Sequence, residues 1–246
     1  MKKKTIFVFV FAICATVSRS QQIFIDQVSV DYAKTVAVWP LMKEMEPEWF
    51  DQSKDHMPKE TISYFNFTGD TAKSVYKRTK EAEIPRGMWF RPFADENLVY
   101  NDYTNGITTT QKPVYEETYL LQDTMYNIKW KITPDTRNIA GFNCRKAIGI
   151  LFDTIAVFAF YTDEIMITGG PEGIHGLPGM ILGMGIPRLH TTWFATKVSI
   201  NSINMKAVVP ATKGKKTNRA SMLTTLTRVM KNWDQYGQKM LVAFVI

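Results

Sequence analysis

The chain has 246 residues, 45% apolar, 22% charged and 13% aromatic, with a formal net charge of +7. Such a composition folds rather than staying disordered, and with 14 glycines, 11 prolines and no recurring heptad or short repeat it is not collagen, coiled coil or a mucin-like stalk. The length suits one large domain or two small ones at about 150 residues each, and the net charge suggests an anionic partner only until it is resolved along the chain.

The chain opens with Lys2, Lys3 and Lys4, then a 13-residue apolar run, Thr5–Val17, then the small residues Ser18 and Ser20. That is the layout of a secretory signal peptide cleaved after Ser20, and the run is too short for the ~20 residues of a spanning helix. Cleavage removes four bases, and the remainder divides sharply. Residues 21–190 carry 17 bases and 22 acids, while 191–246 carry nine bases against Asp234. The basic character therefore lies in the tail, where Lys213, Lys215, Lys216 and Arg219 are the residues to meet an anionic surface. Cleavage also removes Cys14, leaving Cys144 as a single thiol with no internal disulfide, best read as a small buried hydrophobe.

From there the chain reads as strands. Runs rich in β-branched and aromatic residues occur at 28–38, 61–67, 74–78, 97–103, 107–111, 115–121, 126–133, 143–152, 155–161, 180–185 and 192–200. In 126–133, Tyr126, Ile128, Trp130 and Ile132 alternate with polar residues, the period of a strand with one buried face. Gly69-Asp70, Asn105-Gly106 and Pro134-Asp135 supply turns. A short helix is expected at Pro47–Lys54 and a longer amphipathic one at Ala220–Trp233, with Asn218 as its N-cap. The apolar stretch Met240–Ile246 reads as an interior strand. The expected fold is mainly β: a large curved antiparallel sheet or partial barrel, residues 21–246, with one C-terminal amphipathic helix packed on it behind a basic segment, 206–219.

One segment differs from the rest. Seven of the 14 glycines fall in 169–185, and 147–187 contains no Lys or Arg but four acids. Phosphate and nucleic acid are therefore poor partners there. Leu177-Pro178-Gly179-Met180 fits a type II turn, with Pro fixing φ at the second position and Gly supplying positive φ at the third.

These residues carry a resemblance. Gly176-Leu177-Pro178-Gly179-Met180-Ile181 resembles the hallmark hexapeptide of the GLPGLI family, exported proteins of certain Gram-negative bacteria. Trp130 with Ile132, the run Gly141-Phe142-Asn143-Cys144-Arg145-Lys146-Ala147, the run Ala159–Ile165, Gly170-Pro171 and the basic stretch Lys213–Thr217 resemble further segments of that family in the same order. Phe160 stands where the family usually has Trp. The resemblance implies export and a β-rich fold, and it brings no catalytic residue with it. Three Asp-Thr-apolar triplets, starting at Asp70, Asp123 and Asp153, resemble an O-glycan acceptor pattern of bacteria carrying the family, and Asn66-Phe67-Thr68 fits an N-glycan sequon expected to be unused.

Common hydrolase and zinc signatures are absent from the sequence. Two chemistries remain. Trp130, Phe158, Phe160 and Tyr161, beside the turn Gly176, Leu177, Pro178 and Gly179, suit a groove for an apolar ligand or a partner's hydrophobic segment. His175, Met180, Met184 and His190 combine thioether and imidazole, a set that suits copper. The expected function is that of an exported, non-enzymatic binding or envelope-assembly accessory, with a periplasmic copper-binding protein as the alternative.

Overall fold

The computed structural model describes residues 25–84, 95–232 and 234–246. The expected leader and its expected cleavage site after Ser20 lie outside these residues, as does Trp233. Among the described residues twelve strands form one open, mixed sheet. They are β1 (Gln27–Ala37), β2 (Glu60–Asp70), β3 (Lys73–Lys80), β4 (Leu98–Asp102), β5 (Ile107–Val114), β6 (Glu117–Thr124), β7 (Trp130–Ile139), β8 (Phe142–Leu151), β9 (Ile155–Thr162), β10 (Met180–Ile186), β11 (Thr191–Ser199) and β12 (Lys215–Thr217). The spatial order is β12-β6-β5-β4-β3-β2-β1-β11-β10-β9-β8-β7. All neighbours are antiparallel except β12, which runs parallel to β6 and makes the sheet mixed.

The pattern of β1 explains the interior. Val28, Val30, Tyr32, Lys34 and Val36 alternate into the core, while the residues between them are half-buried. Its long registers with β2 and β11 join the two halves of the sheet. The main core runs from Phe65, Phe67 and Tyr76 on one half to Val157, Tyr161, Ile181 and Trp193 on the other.

Helices cover what the sheet leaves open. After β1 the chain turns into α1 (Val38–Met45), where Val38, Leu41, Met42 and Met45 recur at helical spacing, and then α2 (Pro47–Ser53). Trp39 meets Phe50 edge-on at 5.9 Å, and Phe50 and Met57 complete a small separate core. At the other end of the chain, α3 (Arg219–Val229) packs Met222 and Leu226 on Val114, Tyr119 and Leu121. The Asn218 side chain caps α3 by accepting from the Ser221 N–H at 2.8 Å, as its position suggests.

Three expectations are corrected. Met240–Ile246 belongs to a second C-terminal helix, α4 (Asp234–Val245), and not to a strand. Val242, Ala243 and Ile246 face the main core while Met240 and Phe244 face α3 and the β5–β6 edge, so an uninterrupted apolar run is buried on two sides of a helix. The single helix expected over 220–233 ends earlier, at Val229. The buried face expected over 126–133 is broken, because β7 starts only at Trp130 and Ile132 is 42% exposed. Among the described residues no helix is long and apolar enough to cross a membrane.

Candidate functional site

On one stretch of the sheet the inward-facing residues are polar. In β5 the buried positions are Thr108, Thr110, Lys112 and Val114, and Asn101 of β4 lies opposite Thr108. In β1 the intruder is Lys34, opposite Ser63 of β2 and Trp193 of β11. The Lys34 ammonium lies 3.5 Å from Asp95 and 3.8 Å from Glu172, and its side chain is only 4% exposed. It also sits over the rings of Phe65 and Trp193, at 5.4 and 5.6 Å. The Ser63 hydroxyl donates to Asp95 at 2.7 Å, Arg78 approaches the same carboxylate at 3.6 Å, and the Asn97 amide donates to Glu172 at 2.9 Å. Each of these carboxylates thus has a cation and a hydrogen-bond donor, the condition under which a buried charge is tolerated.

Glu172 reaches this cluster because of the glycine-rich segment. The backbone of Glu172 is left-handed, with φ 53° and ψ 22°, a conformation that costs a non-glycine residue about 1 kcal/mol or more. The next residue, Gly173, has φ 75°, and a Cβ there would lie 2.7 Å from Val99. The segment is therefore pressed against the sheet interior, with the Asn101 amide donating to the Gly173 carbonyl at 3.2 Å. The hexapeptide that follows is packed closely against the end of β9. Gly179 has φ 141°, and a Cβ there would collide with the Thr162 carbonyl oxygen. The expected type II turn is replaced by a tighter one: Gly179 N–H donates to the Leu177 carbonyl at 2.8 Å, and Met180 N–H is freed for Ile165 at 3.0 Å. Leu177 is buried, while Gly176 and Pro178 are exposed.

Beside the charged cluster lies a cavity of about 40 Å³, lined by Asn101, Thr108, Thr110, Glu172, His175 and Arg219 on its polar side. Burial holds the His175 imidazole below its ordinary pKa, and its Nδ1 is 3.0 Å from the Gly173 carbonyl. The Arg219 guanidinium lies 4.7 Å over the Phe152 ring, and burial lowers its pKa too. Lys112 is 1% exposed. Burial pushes its amine down to about 7, against the attraction of Glu172 and with help from the positive charges of Arg219 and Lys34. Among the described residues, neither the Lys112 amine nor the Asn101 Oδ1 has a hydrogen-bond partner.

The residues singled out in the sequence are distributed differently. Register places Trp130 opposite Gly149, itself opposite Val157, on the face shared by Tyr161; Phe158 and Phe160 lie on the other face. The four aromatics therefore do not line one groove. Tyr161 is fully buried, Trp130 Nε1 donates to the His175 carbonyl at 3.0 Å, and Phe158 and Phe160 meet edge-on at 6.1 Å. The four thioether and imidazole residues do not form one cluster either. His175 and His190 flank opposite ends of the seven-residue β10, roughly 20 Å long at its per-residue rise. Met180 and Met184 are packed in the core, and His190 pairs with Glu44 at 2.7 Å. Among the described residues no three His, Cys, Asp or Glu side chains converge as metal ligands. Lys213, Lys215 and Lys216 are exposed at or near the β12 edge, but Arg219 turns inward to the cavity. Cys144 is buried, its thiol pushed up to about 11 chiefly by desolvation.

No protein-family model and no curated protein matches the chain. Among solved structures it is similar to PNGF-II in a C2 crystal form, with TM-score 0.51 and 13% identity over 89% of this chain. A second crystal form of PNGF-II gives TM-score 0.50 and 13% identity over 81% of this chain. The match takes in 33% of the PNGF-II chain in both cases, so this chain spans about a third of that protein's length. At this identity the likeness concerns the β-rich fold alone.

Sequence reasoning missed Lys34, Lys112 and Glu172. The signal for the first two was present: Lys34 stands in phase with Val30, Tyr32 and Val36, and Lys112 with Thr110 and Val114. Glu172 carried no such signal, because its direction depends on a left-handed backbone set by tertiary packing.

Proposed function

We propose that the chain is an exported, non-enzymatic binding protein whose sheet is a partial barrel holding a small polar ligand in its interior, under α4. The observation that carries this reading is Lys112: a buried amine without a partner among the described residues, in a strand whose inward face is polar next to a cavity. Burying a lone amine is unfavourable, and a site that binds something supplies a reason for it. The leader-like N-terminus and the GLPGLI resemblance support export and an envelope location.

Native mass spectrometry of the protein recovered from its own envelope tests this. The expected species is residues 21–246 carrying a non-covalent small molecule that is released on denaturation and absent from Lys112→Met. A bare polypeptide mass for the unsubstituted protein would contradict the binding reading, and a mass including residues 1–20 would contradict the processing.

A further inference from the structure

We propose that the sheet face carrying Phe158 and Phe160, opposite the face shared by Tyr161, is a docking surface for an anionic phospholipid bilayer. The proposal goes beyond the interior-ligand reading and does not depend on it. Three observations lead to it. The first is an apolar patch. Register sets this face in two adjacent rows across β7 to β11. One runs Lys131, Ile148, Phe158, Gly185 and Thr192, and the other Lys146, Phe160, Gly183 and Phe194. Ile148 is 42% exposed, and Ile150, two residues on in the same strand, is 47% exposed. A Cβ on Gly185 would collide with the Phe158 ring, and one on Gly183 would lie 2.8 Å from the Phe194 ring. The two rings therefore lie across β10 from either side, and the patch is continuous from β8 to β11. Single exposed apolar residues are ordinary on a surface, whereas a contiguous patch marks a contact.

The second is charge. The β7–β8 hairpin, 130–151, carries Lys131, Arg137, Arg145 and Lys146 against a single acid, Asp135, which pairs with Lys146 at 3.2 Å. Lys131 and Lys146 begin the two rows, and the Arg137 guanidinium lies over the Phe160 and Phe194 rings at 5.9 and 4.4 Å. Asp153, Asp163 and Glu164 sit beyond the two ends of β9, outside the rows; Asp153 accepts from the Tyr126 hydroxyl and Glu164 from the Asn143 N–H. On the far side, Asp31 and Lys197 stand opposite each other and offset. The cations border the apolar patch on the hairpin side, where they complement lipid phosphates. The third is the kind of surface. β8, β9 and β10 are each paired on both sides, so the face offers no strand edge to a partner chain. Its middle ends in hydrocarbon, without a donor or acceptor to fix a protein partner's register. Side chains that enter the acyl boundary need no such fixed partner.

Flotation of the protein recovered from its own envelope tests the proposal, with vesicles of phosphatidylcholine alone and of phosphatidylcholine mixed equally with phosphatidylglycerol. The expected result is binding to the mixed vesicles that falls as sodium chloride is raised, with little binding to phosphatidylcholine alone. Partitioning should be at least about tenfold weaker for Ile148→Thr combined with Ile150→Thr, a pair that keeps β-branched side chains in the strand. The control Val229→Thr, at a site 60% exposed on α3, should partition as the unsubstituted protein does. Lys131→Gln combined with Arg137→Gln provides a second variant, expected to weaken mixed-vesicle binding at least about fivefold, should the isoleucine pair fail to fold. Absence of binding to mixed vesicles, equal binding to both vesicle types, or binding unchanged by these substitutions would overturn the proposal. Loss of binding only on replacing Lys213, Lys215 and Lys216 by Gln would overturn it by placing the lipid contact at the tail. A dimer in sedimentation velocity that the isoleucine pair dissolves, with no vesicle binding, would overturn it by making the face a contact between copies of the chain.

Discussion

Lys34 and Lys112 occupy equivalent inward positions in their strands and carry opposite consequences. Lys34 neutralises two buried carboxylates, Asp95 and Glu172. Replacing it by Met leaves Glu172 without its cation and Asp95 with Arg78 alone, and a loss of about 3–5 kcal/mol is expected in urea unfolding; a change below ~1 kcal/mol would show the cluster to be hydrated. Lys112 has no hydrogen-bond partner among the described residues, and its stability contribution runs with pH. Its amine titrates near 7 in the folded protein, below its ordinary 10.5. Between those values the unfolded chain binds more protons, so stability rises with pH, by at most about 1.4 kcal/mol per pH unit. Below about 7 both states are protonated and the full cost of burying the charge remains. The unfolding free energy of the protein minus that of Lys112→Met is therefore expected to be flat below pH 6 and to climb between pH 7 and 10. Parallel curves would show that Lys112 is not buried as a lone charge.

At the level of elements, strands were legible and helices less so. Most of the antiparallel strands follow from period-two alternation and from turn pairs such as Asn105-Gly106, because both signals are local; β10 is buried at every residue, and β7 has no alternating face and carries Pro134-Asp135, expected as a turn, within it. The three-residue β12 has no alternation to display, and its parallel pairing with β6 depends on where α3 docks. α1 was hidden because Val38 continues the apolar sequence of β1, although Leu41, Met42 and Met45 already recur at helical spacing. α4 misled because an apolar run has no period when two faces are buried. The cap of α3 was readable, being a local side-chain bond. Asn218→Ala is expected to lower stability by about 1 kcal/mol in urea unfolding, with Asn218→Gly nearer the unsubstituted protein; equal losses for Ala and Gly would argue against a capping role.

The whole molecule joins these levels. Its +7 charge resolves into four bases in residues 1–20, an acidic region over 21–190 and a basic tail over 191–246, and of the four tail residues expected to meet an anion, only Arg219 turns inward to the cavity. The glycine-rich segment that carries the family-like hexapeptide acts through its backbone: its turns deliver Glu172 and His175 to the interior of the sheet, a placement that only the assembled fold determines. The account therefore turns on a buried amine that has no hydrogen-bond partner among the described residues of a β-rich fold. Selective ¹⁵N labelling of lysine, with the Nζ resonances followed by NMR across pH, tests this most directly. One lysine should titrate near 7 and vanish from the spectrum of Lys112→Met. If every lysine titrates near 10.5, or the low midpoint survives in Lys112→Met, the interior site as described is wrong.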